Sequence, residues 1–316
     1  MRHSDVGSER SSMSAPAMSA GPVRIGSVTL DNSVMTASGT AGYGTELSRY
    51  VDLGSLGAVV VKSLAAFEWP GNPAPRLSPA GSGMLNAVGL QGPGVEHWLA
   101  HVLPELLATG ATVVASIWGR TVEEYAQAAA MLAAAPHGVV AIEVNLSCPN
   151  LEHGGGDARR AIFAHDPALS AQVIEATATC GRPRWAKLSA NTDRVVDIAG
   201  AVAAAGAEAV TCINTMLGMA FDPVTRRPTL ATGGGGLSGA AIHPIAVRAV
   251  HDVHAARPEL PIIGVGGVST GWDAEELFLA GASAVQVGTA TFADPRAPAK
   301  VLAELRNAEL HADGGG

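Results

Sequence analysis

The chain has 316 residues, of which 47% are hydrophobic, and it carries a formal net charge of −8 with a sequence pI of about 5.7. This length and composition are enough to bury a large core, whereas no apolar run approaches the roughly 18 residues that a membrane-spanning helix needs. An acidic chain without a cluster of lysine and arginine does not fit a protein that binds nucleic acid or anionic membranes.

The three cysteines, Cys148, Cys180 and Cys212, lie far apart, and no Cys-x-x-Cys pair is present. This spacing argues against a disulfide framework and against a metal site, and it fits a reducing cytoplasm.

We expect residues 1–20 to form a disordered tail, because they are rich in serine, alanine and methionine and show no hydrophobic period. Pro16 and two serines interrupt the apolar stretch that a secretory signal would need. Residues 21–310 show no break in composition and are expected to form a single domain.

The chain begins its regular pattern with two short alternating segments, residues 23–30, which predict a β-hairpin that plugs the bottom of a barrel. Strand patterns then alternate with Ala/Leu/Val-rich helical patterns. The predicted strands are 34–37, 58–61, 112–117, 139–144, 184–188, 209–213, 261–265 and 284–287, and the predicted helices are 122–134, 167–179, 195–205, 242–256 and 273–280.

Eight strand–helix units predict an α/β fold, a closed (β/α)8 (TIM) barrel, in preference to an open doubly wound sheet. The open sheet is usually marked by Gly-x-Gly-x-x-Gly after its first strand, and residues 37–42 match that motif poorly. We interpret the long segments 65–90 and 149–167 as active-site loops on the same domain.

Polar residues follow several of the predicted strands. Asn145, Cys148 and Asn150 follow the fourth strand, and Lys62 and Lys187 stand at the ends of the second and fifth. A lysine there either extends to solvent or pairs with an anion, and the presence of two beside an Asn/Cys group favours an anionic or electron-accepting ligand. Asn214 and Thr215 follow the sixth strand, where the alternative role is capping a local turn.

Glycines close the last two strands. Gly264, Gly266 and Gly267 end the seventh strand, and Gly288 precedes Thr289 after the eighth. Each group alone is explained by a tight turn, but their paired positions are typical of a phosphate-binding cradle in barrels. The glycine-rich run 232–239 predicts either a plain linker or a loop that wraps a cofactor.

Several motifs together resemble the dihydroorotate dehydrogenase family. They are Asn145-Leu-Ser-Cys-Pro-Asn150, Thr36-Ala-Ser-Gly-Thr40, Gly71-Asn-Pro-Ala-Pro-Arg76, residues 82–91, residues 213–219 and Gly235-Gly-Leu-Ser-Gly239. Cysteine at position 148 resembles the class 1 enzymes, and the sequence of residues 82–86 and 214–219 resembles class 1B. The resemblance runs from about residue 23 to residue 295.

This resemblance implies an FMN-containing barrel that oxidises (S)-dihydroorotate to orotate in pyrimidine biosynthesis. Cys148 would be the base that removes the C5 proton while hydride leaves C6 for the flavin. The positions that match substrate contacts are Lys62, Asn86, Gly89, Leu90, Asn145, Asn150, Asn214 and Thr215. The positions that match flavin contacts are Ala37, Ser38, Lys62, Ser63, Asn145, Lys187, Ile213, Gly239, Gly266, Gly267, Gly288 and Thr289.

The resemblance to class 1B also implies a partner subunit that carries FAD and a 2Fe-2S cluster and passes electrons to NAD, and class 1 relatives suggest a homodimer core in the cytoplasm. Three cysteines are too few to ligate such a cluster in this chain. Direct transfer to fumarate is a second acceptor compatible with the same barrel.

Three other functions remain open at this point. A dihydropyrimidine dehydrogenase-like subunit would share the barrel and the cysteine but act on uracil or thymine. A barrel that only relays electrons through a flavin would not depend on Cys148. A phosphate-binding aldolase would use Lys187 as a Schiff base and would contain no flavin.

Overall fold

The computed structural model of the chain describes residues 20–147 and 163–313, with side chains described through His311. Most of the predicted tail (residues 1–19), together with Cys148 and Asn150, lies outside the described residues. The strands are β1 (Val23–Ile25), β2 (Val28–Leu30), β3 (Val34–Thr36), β4 (Val59–Val60), β5 (Leu77–Ala80), β6 (Gly83–Asn86), β7 (Val113–Ile117), β8 (Val139–Asn145), β9 (Arg184–Lys187), β10 (Ala209–Cys212), β11 (Met216–Met219), β12 (Gly234–Gly239), β13 (Ile262–Val265) and β14 (Ala284–Val287).

The helices alternate with the strands as the sequence predicts, and three described α-helical regions were not predicted: Val95–Ala108, Ala290–Ala293 and Ala297–Asp313. The α-helices are α1 (Val95–His97), α2 (Leu103–Ala108), α3 (Val122–Leu132), α4 (Pro167–Ala176), α5 (Val195–Ala204), α6 (His243–Ala256), α7 (Gly271–Leu279), α8 (Ala290–Ala293) and α9 (Ala297–Asp313). A π-helical turn, Trp98–Val102, joins α1 to α2, and 3₁₀ turns occupy Leu53–Ser55, Phe163–His165, Thr177–Cys180 and Ala240–Ile242.

The central sheet has eight strands in the order β3-β14-β13-β10-β9-β8-β7-β4. Its two end strands approach each other through a parallel bridge between Met35 and Ala58, and the amide of Gly57 donates to the carbonyl of Val34 at 2.9 Å. The strands therefore form a barrel with helices around it, as the alternating pattern predicts, and all eight predicted strands are present within one or two residues of their predicted bounds.

The N-terminal hairpin is also confirmed, since β1 and β2 pair antiparallel around Gly26, whose φ is +61°. Its side chains Ile25, Val28 and Leu30 pack in one apolar cluster with residues from all eight barrel strands. The barrel residues of this cluster are Met35, Val60, Val114, Ala141, Trp185, Ala209, Ile263 and Ala284, with Ala58 beside them. We call this layer the floor of the barrel, and the hairpin closes it.

The segments interpreted from the sequence as loops contain a second sheet. Strands β11, β12, β6 and β5 pair in that order, and β12 is antiparallel to both of its neighbours. The interpretation of residues 232–239 as a plain linker was wrong, because Gly234–Gly239 is a strand. Glycine is needed in this strand because its main chain lies very close to neighbouring residues. A Cβ at Gly236 would lie 2.1 Å from Thr215 Oγ1, and one at Gly235 would lie 2.3 Å from the Asn86 carbonyl oxygen.

This second sheet lies at the C-terminal end of the barrel. Residues 213–215 alone separate the end of β10 from the start of β11, and β12 leads directly through a 3₁₀ turn into α6. Among the described residues, no helix combines the length and the apolar character needed to cross a membrane.

We expect Trp185→Ala to lower the free energy of unfolding by about 3–5 kcal/mol, because the indole is fully buried in the floor and its removal leaves a large cavity. Urea unfolding followed by circular dichroism measures this loss. The matched control is Trp272→Ala, whose side chain is 57% exposed and whose removal should change stability by no more than about 0.5 kcal/mol. Equal stabilities of the two variants would contradict a packed floor.

Candidate functional site

The interior of the barrel changes from apolar to polar between the floor and the C-terminal ends of the strands. In β8, Ala141, Glu143 and Asn145 share one side of the strand because side chains alternate along it. Ala141 belongs to the floor, so Glu143 and Asn145 lie one and two steps above it on the inner side. We call the C-terminal ends of the barrel strands, with the residues that directly follow them, the rim.

Directly above the floor lies a group of four buried side chains, Glu143, Lys187, Thr211 and Gln286, which we call the central polar cluster. Glu143 Oε2 accepts hydrogen bonds from Gln286 Nε2 at 2.7 Å and from Thr211 Oγ1 at 3.2 Å. Lys187 Nζ lies 3.6 Å from Glu143 Oε1, and these two side chains are 4% and 0% exposed. A buried charge is tolerated when it is paired and hydrogen-bonded, and this cluster meets both conditions.

The lysine of this cluster extends to the rim. Lys187 Nζ donates to Ser38 Oγ, which follows β3, at 3.0 Å, and a longer contact of 3.4 Å joins it to Gln286 Oε1. Two predicted site residues from opposite parts of the sequence, Ser38 and Lys187, are thus in direct contact.

A second group at the rim, the amide cluster, consists of Ser63, Ser116, Asn145 and Asn214. Asn214 Nδ2 donates to Asn145 Oδ1 at 3.1 Å, and Asn145 Nδ2 donates to Ser63 Oγ at 3.2 Å. The hydroxyls of Ser63 and Ser116 lie 2.9 Å apart. Three predicted residues, Asn145 and Asn214 from strand ends and Ser63 from the family resemblance, therefore form one hydrogen-bonded chain, which fixes the orientation of both amides.

The amide cluster continues into the second sheet. The backbone amide of Thr215 donates to Asn214 Oδ1 at 2.7 Å. The Thr215 side chain packs against Gly236, whose carbonyl accepts a hydrogen bond from Asn86 Nδ2 at 3.1 Å. Predicted residues Asn86, Asn214 and Thr215 are therefore connected through one strand of the sheet that the sequence analysis had not predicted.

The predicted glycines converge at another part of the rim, the glycine cradle, formed by Gly239, Gly266, Gly267 and Gly288. A Cβ at Gly267 would lie 3.0 Å from the Gly239 carbonyl oxygen, and a Cβ at Gly239 would lie 3.4 Å from Thr289 Cγ2. Gly239, Gly266 and Gly267 have φ values of +90°, +141° and +73°, which favour glycine. The main chain therefore carries no side chains at these four positions.

Two further predicted positions, Ala37 and Ile213, lie on the same rim. The amide of Ala37 donates to the carbonyl of Val287 at 2.9 Å, and that of Ile213 donates to the carbonyl of Val265 at 2.8 Å. Ala37 also faces Gly288, since a Cβ on that glycine would lie 3.2 Å from Ala37 Cβ. Each residue directly follows a barrel strand, Ala37 after β3 and Ile213 after β10, and is held by a backbone hydrogen bond to the adjacent strand.

Lys62, after β4, is half-buried beside Tyr43, with Nζ 5.2 Å from the centre of the ring. Burial, and then the positive charge of Arg76, lower the pKa of Lys62 from its ordinary value. Lys62 follows β4 and Lys187 ends β9, and β7 and β8 lie between these two strands in the sheet.

Gly89 and Leu90 lie in the segment after β6, and both have left-handed backbones, with φ of +74° and +59°. The Gly89 carbonyl accepts a hydrogen bond from Trp69 Nε1 at 3.0 Å. The left-handed conformation is unusual for leucine, and such strained positions concentrate at ligand-binding segments. Cys148 and Asn150, the remaining predicted site residues, lie outside the described residues; Cys148 is the third residue after the end of β8.

The family model described as Dihydroorotate dehydrogenase matches residues 22–308. The chain belongs to the dihydroorotate dehydrogenase family. The resemblance proposed from the rim motifs is thereby confirmed.

Members of the dihydroorotate dehydrogenase family with high similarity come from several bacteria. The chain is 46% identical to a protein of Geobacter sulfurreducens over 284 residues, which are 90% of this chain and 91% of that protein. It is 48% identical to a protein of Desulforudis audaxviator over 284 residues, 90% of each chain, and 45% identical to one of Listeria monocytogenes over the same length, 90% of this chain and 91% of that protein. All three relatives are named dihydroorotate dehydrogenase B (NAD(+)), catalytic subunit.

Three residues of the site in this dihydroorotate dehydrogenase family member were not predicted from the sequence: Glu143, Gln286 and Ser116. A usable signal was present for the first of these, because Glu143 is a charged residue inside the apolar run 139–144. A carboxylate in a strand buried on both sides requires a partner, and the inner position of Lys187 in the next strand supplies it.

We expect Arg76→Gln to raise the pKa of Lys62, because it removes a like charge that lowers this pKa. An acylating reagent modifies only the neutral amine, so the pH midpoint of Lys62 modification should move upward, as followed by mass spectrometry of the labelled peptide. Arg306→Gln, an equal charge change at an exposed position of α9, is the control and should leave the midpoint in place. An unmoved midpoint in Arg76→Gln would contradict the assignment.

Proposed function

We propose that this chain is the catalytic subunit of an NAD-linked dihydroorotate dehydrogenase, type B, which oxidises (S)-dihydroorotate to orotate in pyrimidine biosynthesis. The observation that carries this proposal is the identity of 44–48% to relatives of that name across 90% of the chain. The convergence at one rim of a lysine, an amide cluster and a glycine cradle supports it.

The residues of the rim fit FMN. The four glycines of the cradle carry no side chain that would stand between the main chain and a phosphate. The packing of the protein itself also requires glycine at two of them, because a Cβ at Gly266 would lie 2.7 Å from Ala246 Cβ and one at Gly267 would lie 2.6 Å from His243 Cβ. Ala37, Ser38, Lys62, Ser63, Asn145, Lys187, Ile213, Gly239, Gly266, Gly267, Gly288 and Thr289 would hold the cofactor. When bound, FMN supplies the acceptor for the hydride that leaves C6 of the substrate.

The substrate would be recognised mainly by amides. Dihydroorotate carries C=O and N–H groups on its ring edges, and each asparagine offers a donor and an acceptor together. Asn86, Asn145, Asn150, Asn214 and Thr215 would bind the ring. Lys62 and the main chain at Gly89 and Leu90 would receive the carboxylate.

Cys148 would be the base that takes the proton from C5, so that the C5–H pair becomes the π pair of the new C5=C6 bond as hydride leaves C6. The other two cysteines are unsuited, because burial raises the pKa of the Cys212 thiol to about 12 and also raises that of Cys180. A base needs the thiolate, and positive potential from lysines at the rim favours it.

The proposal extends to a partner. The relatives are named catalytic subunits, so we propose a second subunit that carries FAD and a 2Fe-2S cluster and delivers electrons to NAD. The three cysteines of this chain are too few for such a cluster. We further propose a homodimeric core and a cytoplasmic location.

We expect dihydroorotate, and not dihydrouracil, to bleach the yellow absorbance of the purified flavoprotein in stopped-flow measurements under anaerobic conditions. Cys148→Ala should slow this reduction by about 10²–10⁴-fold, the usual contribution of a general base. Cys180→Ala, a thiol between α4 and β9, should keep the parent rate.

Three results would count against the proposal. Bleaching by dihydrouracil would assign a dihydropyrimidine dehydrogenase, and an unchanged rate in Cys148→Ala would assign a flavin relay. A colourless protein that takes up no FMN would remove the flavin function altogether.

We expect Gly267→Ala to weaken FMN binding at least tenfold, because a methyl group there meets His243 Cβ at 2.6 Å and the left-handed φ of +73° is strained for alanine. Fluorescence titration of the apoprotein with FMN measures the dissociation constant. Gly181→Ala is the matched control, since Gly181 has φ +60° and an added Cβ would meet nothing within 4 Å; its FMN affinity should equal the parent's. Equal affinities in the two variants would contradict the cradle.

A further inference from the structure

Glu143 is a carboxylate with no exposure to solvent, in the middle of β8, and the proposed reaction has no use for it. A buried carboxylate is costly, and a fold keeps one only where partners compensate for the lost hydration. Its compensation here comes from three other strands: Lys187 of β9, Thr211 of β10 and Gln286 of β14.

The two oxygens of Glu143 have different partners. Oε2 receives both hydrogen bonds, from Gln286 and Thr211, while Oε1 faces Lys187 Nζ at 3.6 Å without a hydrogen bond. The first pair of contacts fixes the carboxylate, and the fixed carboxylate then faces the ammonium. Gln286 contacts both members of the ion pair, because its Nε2 donates to Glu143 and its Oε1 lies 3.4 Å from Lys187 Nζ.

Lys187 is consequently oriented from below by Glu143 and Gln286 and from above by Ser38, to which it donates at 3.0 Å. Its positive charge is also partly neutralised by the carboxylate beneath it. A negative charge that forms at the rim therefore interacts with an ion pair and not with an isolated cation, and in a buried site this difference is large.

We propose that Glu143, held by Gln286 and Thr211, is a positioning residue that fixes Lys187 and sets the midpoint potential of the bound cofactor by opposing the lysine's charge. The proposal rests on the function proposed above, in which FMN binds at the rim. Charge near a flavin is one of the means by which a protein tunes it.

The sign of the effect follows from electrostatics. Reduction adds negative charge at the rim, so removing the Glu143 carboxylate favours the reduced form and removing the Lys187 ammonium disfavours it. A residue that only supports the fold would not produce shifts of opposite sign at two positions that contact each other.

The experiment measures the midpoint potential of the full-length FMN-loaded protein by anaerobic reductive titration against a reference dye. Glu143→Gln should raise the ratio of reduced to oxidised flavin at a fixed potential at least tenfold, which is about 30 mV for a two-electron couple. Lys187→Met should lower this ratio by a similar factor. Glu143→Asp, which keeps the charge, should shift the ratio less than Glu143→Gln does.

A double variant keeps the test valid if Glu143→Gln alone does not fold, because an uncompensated buried lysine is removed together with its partner. In Glu143→Gln/Lys187→Met, the ratio of reduced to oxidised flavin at a fixed potential should be at least tenfold above that of Lys187→Met alone. Glu208→Gln is the control for loss of one carboxylate, since Glu208 bonds to Ser27 of the hairpin turn at the other end of the barrel, and it should leave the potential unchanged.

The possible failures are distinguishable. Suppose that the unsubstituted protein takes up FMN and that dihydroorotate reduces it. If Glu143→Gln then has the midpoint potential of the unsubstituted protein, and the double variant has that of Lys187→Met, this inference is wrong and the proposed function stands. If the parent protein binds no FMN, both are wrong.

Discussion

The constraint on which the site depends is the cost of placing Glu143 and Lys187 inside a barrel whose next layer down is entirely apolar. The floor residues exclude water from below, so the two charges must satisfy each other and must recruit Thr211 and Gln286 for the remaining hydrogen bonds. Four neighbouring or facing strands are thereby held in one register relative to the rim. Ser38 follows β3, Gly266 and Gly267 follow β13, and Gly288 follows β14. These strands are among the four or lie beside them in the sheet, so the positions of these residues depend on the same register.

Much of this arrangement could be predicted from sequence, because the physical signals are local. Apolar, β-branched runs bounded by glycine, proline and asparagine gave the eight barrel strands, and parallel strands place their C-terminal residues at one end. This reasoning brought together Asn145 and Asn214, which are hydrogen-bonded in the structure. Ser38 and Gly239 were predicted only from the resemblance to the family, and in the structure Ser38 contacts Lys187 and Gly239 lies beside Gly267.

The rest depends on pairings that no short window of sequence contains. Asn86 and Gly236 are 150 positions apart, and the strand that carries Gly236 has four glycines among its six residues, which lowers its β propensity. Their pairing is specified by close backbone approach and not by a hydrophobic pattern. Glu143 and Gln286 were missed for a related reason: each is meaningful only when the inner side of its strand and the partner across the barrel are known.

The hairpin at the floor determines from which end a ligand can enter the barrel. Because its side chains and the lowest layer of the barrel seal one mouth, whatever enters the interior must come and go by the opposite mouth. A small molecule that binds beside the central polar cluster would therefore approach along the barrel axis from the C-terminal ends of the strands, and its product would leave in the same direction.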